Sequence, residues 1–270
     1  MSEKIAKIQK IVFEILIDID EYCRANNIQY FLSGGSCLGA VRHSDFIPWD
    51  DDADIMMPRI EYLRFFKGFS KTYGDKYGMS TLELDEEWKI PSGRIWNLKS
   101  VSRNINLDMK SIGIFVDVFP IDGLPKEKKR QIKFFKKIKR MNIMRHAALR
   151  VQFKKNEHWK IPKRFMAIYC KAKGARYFAE KIQNEALKYN YEDADEVAVS
   201  MACHYWEKEI IEKRHMESAT LLEFNGKEFP VPVGYDTYLR NLYGDYMRIP
   251  RDVSEQGYTH LGHWEVSIEE

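Results

Sequence analysis

Two clusters near the start of the chain carry the residue types for phosphate chemistry: Ser33-Gly34-Gly35-Ser36 and Asp50-Asp51-Asp52-Ala53-Asp54, separated by the arm Cys37 to Trp49. The run Asp52-Ala53-Asp54-Ile55-Met56-Met57 alternates acidic with apolar residues before becoming wholly apolar. On a strand, residues two apart share a face, so Asp52 and Asp54 point together while Ala53 and Ile55 turn to the core. Two carboxylates about 4 Å apart repel by roughly 4 kcal/mol at an effective dielectric near 20. A cation between them removes that cost, and hard oxygen ligands that share an ion with phosphates select Mg²⁺, with Mn²⁺ as the alternative. Gly34 and Gly35 allow backbone to approach a ligand, and with Ser36 could supply amide hydrogens and a hydroxyl to phosphate oxygens. Together these features predict metal-dependent phosphoryl transfer. Asp50 and Asp51, which follow Pro48-Trp49, read as a polar turn.

Such chemistry calls for a further carboxylate from a neighbouring strand. Asp117 is the only charge in the apolar, strand-like run Gly113 to Pro120, and an unpaired carboxylate there would be costly to bury. It therefore needs an ion or a partner, the alternative being a structural ion pair with an arginine such as Arg94. Asp122, after Pro120, reads as a turn or helix-entry acid. Arg94 and Lys99 are candidate phosphate contacts. Arg42 suits a phosphate or an ion pair with Asp45 or Asp50, and His43 a phosphate contact, protonation of a leaving group or a loop-orienting hydrogen bond. Trp49 adjoins the acids and is the tryptophan best placed to cradle a quaternary ammonium. His260 and His263 lack a third ligand and carry no metal reading.

The elements that must hold these residues follow from periodicity. Ile5, Ile8, Val12, Ile15, Ile19 and Tyr22 recur at helical spacing, ending near Asn26-Asn27. Ile28 to Leu32 reads as a buried strand, Ser36 to Val41 as a short helix, and Asp54 to Met57 as a second strand. Pro58 opens a helix through about Tyr73. Strands are expected between Met79 and Leu107, and the strand of Asp117 completes a mixed sheet. Residues Lys126 to Tyr189 turn helical, with a break expected around Lys160-Ile161-Pro162-Lys163. Asn225-Gly226 marks a hairpin, and Tyr235 to Leu242 a last helix.

The stretch from Ser33 to Ile55 closely resembles the signature of the LicD-type phosphocholine transferase family. That family is related to fukutin-type ribitol-phosphate transferases and has a nucleotidyltransferase-like core of the polymerase-β kind. Phe115 to Pro125 resembles its second acidic block and Val231 to Tyr246 its closing Tyr-Gly-Asp segment. One departure is Ser36-Cys37 where many members carry Thr-Leu, which keeps the hydroxyl. The resemblance implies Asp52 and Asp54 as metal ligands, with Asp117 as the third carboxylate. It also implies transfer of a phospho-alcohol from CDP-choline or another CDP-alcohol to a sugar hydroxyl, releasing CMP. The implied acceptor is a lipid-linked glycan of teichoic acid or lipopolysaccharide type. Ribitol- or glycerol-phosphate transfer, nucleotidyl transfer, and a nonenzymatic membrane or nucleic-acid adaptor are the alternatives.

The expected fold class is α/β (α+β): a nucleotidyltransferase-like core with a mixed sheet over 1–125, a helical insertion over 126–190, and a C-terminal part over 191–270 that returns to the core. At 270 residues and 44% hydrophobic the chain can build a full core. No run of about 20 uncharged apolar residues occurs. Cys23, Cys37, Cys170 and Cys203 show no metal spacing and read as reduced structural thiols, which with the lack of a span suggests a cytoplasmic protein. A net charge of +3 implies no specific nucleic-acid partner. The basic amphipathic segment Lys126 to Arg140 reads as a solvated face or as a peripheral contact with anionic lipid at the inner face of the membrane.

Overall fold

The computed structural model describes residues 3–151, 160–201, 205–250 and 264–268, so Cys203, His260 and His263 lie outside the described residues. The chain opens with helix α1 (Glu3–Ala25), whose buried row Ile8, Val12, Ile15, Ile19 and Tyr22 follows the predicted spacing. Strand β1 (Phe31–Leu32) is shorter than the apolar run that contains it. Helix α2 (Gly34–His43) starts two residues before the expected Ser36, so both glycines belong to its first turn rather than to a loop. Strand β2 (Asp54–Pro58) leads into α3 (Arg59–Tyr73). Strands β3 (Tyr77–Ser80), β4 (Gly93–Asn97), β5 (Ser100–Asn104) and β6 (Phe115–Gly123) follow.

The main sheet is mixed, as the sequence predicted. Its order is β1-β2-β6-β4-β3, extended from the far end of β6 by β7 (Glu196–Ala198) and β8 (Ile211–Glu212). Only β2 and β6 are parallel, with Asp54 opposite Asp117, while β4 runs antiparallel to β6 with Arg94 opposite the same Asp117. Helices α1 and α3 pack side by side, the Tyr22 ring lying 5.8 Å from Phe65 and 5.3 Å from Phe69. That approach requires Gly68, where a Cβ atom would stand 2.1 Å from the Tyr22 hydroxyl. The core thus formed is built from Val12, Ile15, Phe31, Ile55, Phe65 and Val118 among others, all sealed from solvent.

Among the described residues three helices separate β6 from β7: α4 (Lys128–Leu149), α5 (Lys160–Lys173) and α6 (Ala175–Ala186). The break expected around Lys160 to Lys163 coincides with the start of α5 at Lys160, after α4 has ended at Leu149. Pro162 sits within the first turn of α5, where its missing amide is harmless, and a second interruption comes at Gly174, with φ +81°. After β8 the hairpin β9 (Ala219–Phe224) and β10 (Lys227–Pro232) turns at Asn225 (φ 50°) and Gly226 (φ 78°), the positive pair that a two-residue hairpin demands. Helix α7 (Tyr235–Tyr243) and strand β11 (Trp264–Ile268), paired to β5, complete the described chain.

Asp122 departs from its sequence reading. It lies inside β6 and is fully buried, accepting from Arg59 Nε at 2.8 Å and Nη2 at 2.6 Å. The strand continues through Pro120 because Pro120 pairs with β2 in the parallel ladder, so a proline read as a terminator sits in the middle of the sheet.

Candidate active site

Three neighbouring strands deliver three charges to one place. Register alone puts Asp54, Asp117 and Arg94 side by side on β2, β6 and β4, with their side chains on one face. Arg94 donates through Nε to Asp117 Oδ1 at 2.8 Å and through Nη2 to Oδ2 at 3.1 Å. Its guanidinium lies over the Phe115 ring at 3.9 Å and over Trp264 at 5.6 Å, while Nη1 is buried with no hydrogen-bond partner. The pair is mostly enclosed, with side-chain exposures of 12% and 14%. Arg94 is thus committed to Asp117, the alternative its sequence reading left open.

Asp52 precedes the strand, yet the burial alternation holds: Ala53 and Ile55 are buried, whereas Asp52 and Asp54 keep a partial opening. Burial, then the charges of Asp52 and Asp117, push the Asp54 carboxyl well above the usual carboxylate range, and Arg94 opposes them. A divalent cation held by Asp52 and Asp54 would reverse that destabilisation, so the donor set fits such an ion with phosphate oxygens and water completing its shell. Among the described residues no three His, Cys, Asp or Glu side chains group as metal ligands. Asp117 Oδ1 and Oδ2 each accept one hydrogen bond from Arg94 and keep further lone pairs on the face shared with Asp54.

The glycine turn meets the acids from α2. At Gly34, with φ +48°, a Cβ atom would stand 3.6 Å from the Tyr243 hydroxyl and 3.8 Å from Asp54 Oδ2; at Gly35 it would stand 2.9 Å from Asp50 Oδ2. One expected phosphate donor, the Gly34 amide, is already used, and Ser36 Oγ is engaged only as an acceptor, which leaves its own hydrogen to donate. The Gly34 amide donates to the Tyr238 hydroxyl at 3.3 Å, and Ser36 Oγ accepts the Asp54 amide at 2.9 Å, which fixes α2 to the start of β2. Asp50 and Asp51 are not a simple solvated turn, for Asp50 faces Gly35 and Asp51 is buried. Asp51, Asp52, Phe115 and Trp264 also line a small cavity.

Other candidates sit apart from this cluster. Arg42 lies eight residues along α2 from Gly34, about 12 Å at 1.5 Å per residue. Its Nη1 donates to the carbonyls of Tyr246 at 2.8 Å and Arg248 at 3.3 Å, so it ties down the chain after α7 rather than pairing with Asp45 or Asp50. Arg42 Nε donates to His43 Nε2 at 3.0 Å. Burial and then the Arg42 charge hold His43 below its ordinary range, with Asp45 opposing them. Trp49 packs edge-on against His43 at 6.3 Å. Lys99 is exposed beyond the end of β4, which separates it from Arg94 by at least about 10 Å of strand.

Several residues of the site were not foreseen. Tyr238 and Tyr243 on α7 reach back to Ser33 and Gly34, with Tyr238 Oη 3.2 Å from Ser33 Oγ. Tyr205 packs edge-on against Tyr243 at 5.3 Å. Behind them Glu209 is 3% exposed, its Oε2 has no hydrogen-bond partner, and burial raises its carboxyl to about 8. Its charge is felt at Asp54, Tyr205, Tyr238 and Tyr243. In sequence Glu209 lies in Trp206-Glu207-Lys208-Glu209, which reads as ordinary surface; no signal marks it.

Comparison with known proteins bears on what this cluster does. The profile of the LicD/FKTN/FKRP nucleotidyltransferase domain matches residues 27–146, a span that holds Gly34, Asp52, Asp54, Arg94 and Asp117. The chain is 27% identical over 254 residues to the lipopolysaccharide cholinephosphotransferase LicD of Haemophilus influenzae, covering 92% of this chain and 93% of that protein. It is 58% identical over 87 residues to the ribitol 5-phosphate transferase FKRP of Homo sapiens, which is 32% of this chain and 17% of that protein.

Proposed function

We propose that the chain, which is similar over residues 27–146 to the LicD/FKTN/FKRP nucleotidyltransferase domain and over most of its length to a lipopolysaccharide cholinephosphotransferase, is a transferase moving phosphocholine from CDP-choline to a sugar hydroxyl of a lipid-linked cell-surface glycan precursor, releasing CMP. The observation that carries the reading is the register that sets Asp54 beside the Arg94-bound Asp117, with Asp52 two residues away and Gly34 across from them. Asp52 and Asp54 would hold Mg²⁺ or Mn²⁺, which when bound supplies charge neutralisation at the phosphates. Asp117, fixed by Arg94, orients the attacking hydroxyl and receives its proton. The new bond joins that hydroxyl oxygen to the phosphorus bearing the alcohol. The bond from this phosphorus to the CMP oxygen breaks in line with it. Gly34 and Gly35 let the donor phosphates come close to α2, whose positive end faces them.

The cavity at Asp51 and Asp52 combines those two acids and the rings of Phe115 and Trp264 with Ile8, Ser102, Ile114 and Val266, and its acids and rings favour a cationic alcohol over a polyol. Similarity to the ribitol 5-phosphate transferase FKRP favours ribitol phosphate as the second reading. Incubation with CDP-choline, CDP-ribitol or CDP-glycerol, an acceptor glycan and Mg²⁺, followed by mass analysis of both products, decides between them. CMP in equal amount with phosphocholine-bearing acceptor is expected. Success with CDP-ribitol alone would replace the substrate, and pyrophosphate release from CTP would replace the reaction.

A further inference from the structure

Helix α5 is apolar on two opposite sides, and the described residues cover only one of them. Ala167 and Cys170 face inward and are buried, where α5 packs on α4 and α6. Phe165, Ile168 and Tyr169 are 70%, 65% and 51% exposed. With Ala172 they fall at i, i+3, i+4 and i+7, a single stripe pointing away from the packed side. Arg164, Lys171 and Lys173 flank that stripe, and α5 contains no acidic residue.

The neighbouring helix repeats the charge pattern. α4 contains no acidic residue and buries Gln131, Phe134, Phe135, Ile138 and Asn142. On its opposite face Lys129, Lys133, Lys136 and Arg140 are exposed and form no ion pair among the described residues, whereas Lys128 and Lys137 are spent on Glu196 and Glu185. Ile132 and Ile143, at 46% and 52% exposure, lie among these cations. Apolar side chains rimmed by one sign of charge are what an interfacial helix presents to anionic lipid, its rings and aliphatic groups entering the headgroup layer while the lysine and arginine heads stay at the phosphates.

We propose that α5 inserts Phe165, Ile168 and Tyr169 into an anionic membrane surface, with the Lys129, Lys133, Lys136 and Arg140 row of α4 adding electrostatic attraction. A second copy of the chain is a poor occupant, because two such faces would bring like charges together. Nucleic acid would satisfy the lysines but leave the apolar stripe in water. The inference stands independently of the reaction, although a lipid-linked acceptor would be presented at such a surface.

Co-sedimentation of the full chain with vesicles of phosphatidylcholine alone, or mixed equally with phosphatidylglycerol, tests it. Binding to the mixed vesicles only, weakened by salt, is expected. The double variant F165S/I168S should bind about tenfold or more weakly through lost apolar burial. The triple variant K129E/K133E/K136E should also weaken binding. Both should keep turnover on a water-soluble acceptor analogue and the wild-type unfolding midpoint. Equal binding to neutral vesicles, no binding to either, or full binding by F165S/I168S overturns the proposal. So does sedimentation as a dimer that F165S/I168S breaks, or binding of duplex DNA in preference to the mixed vesicles.

Discussion

Arg94 grips both oxygens of Asp117 from the adjacent antiparallel strand, so the third carboxylate of the site is held by a protein cation before any substrate arrives. The consequence is a division of labour among the acids. Asp117 is matched within the protein by Arg94, whereas Asp54 is buried beside the charges of Asp52 and Asp117, which raise its carboxyl.

The first prediction separates these roles. Asp117→Asn leaves the mostly buried Arg94 unmatched and should cost about 3–5 kcal/mol, read from urea unfolding. Asp54→Asn should leave the protein as stable as wild type or more so without metal, because burial and two neighbouring carboxylates disfavour its charge. Asp52→Asn, Asp54→Asn and Asp117→Asn should all abolish turnover. An unchanged unfolding midpoint for Asp117→Asn would show that the pair is not structural.

Metal binding should stabilise the wild type through Asp52 and Asp54. At one hundred times its Kd an ion adds about 2.7 kcal/mol, so Mg²⁺ should raise the melting temperature of the wild type and not that of Asp54→Asn. Equal shifts for both proteins would place the ion elsewhere.

Glu209 makes stability depend on pH. Its carboxyl titrates at about 8 in the folded protein and from an ordinary value of 4.5 when unfolded. Between these values the folded state binds more protons, so this group's stabilising contribution is full below about 4.5 and is lost as pH rises through about 8. Glu209→Gln should flatten that part of the stability profile and be the more stable protein near pH 8, by on the order of a few kcal/mol. Parallel profiles for the two proteins would mean that Glu209 finds a charge partner when folded.

At Gly34 a positive φ meets a crowded ligand face. Gly34→Ala forces an L side chain into the left-handed region, costing roughly 1–2 kcal/mol, and sets a methyl group beside Asp54 and Tyr243. Turnover should fall much further than stability. Activity near wild type would mean that the donor does not approach α2 at this turn.

Trp264 supplies one aromatic wall of the cavity beside Asp52. Trp264→Ala should raise KM for CDP-choline more than for CDP-ribitol, because only the former carries a charge for the ring to meet. An equal rise for both donors would remove the cavity from alcohol recognition.

Local pattern was enough for much of this protein. Alternation around Ala53 and Ile55 set the faces of Asp52 and Asp54, helical spacing from Ile5 to Tyr22 marked the buried side of α1, and Asn225-Gly226 marked the hairpin, since each follows from backbone geometry over a few residues. The lone charge in the apolar run of Asp117 demanded a partner, but sequence could not choose between an ion and Arg94, because that choice rests on strand register across 23 positions. Asp122 was misread for the same reason, its partner Arg59 lying 63 positions away. Only the tertiary structure turned Ser36 inward to the Asp54 amide, tied Arg42 to the carbonyls of Tyr246 and Arg248, carried Tyr238 and Tyr243 to the glycine turn, and buried Glu209. These outcomes depend on which distant segments share a buried volume. A carboxylate such as Glu209 looks the same in sequence whether water or tyrosines surround it; burial, which no short window encodes, makes it chemically distinct.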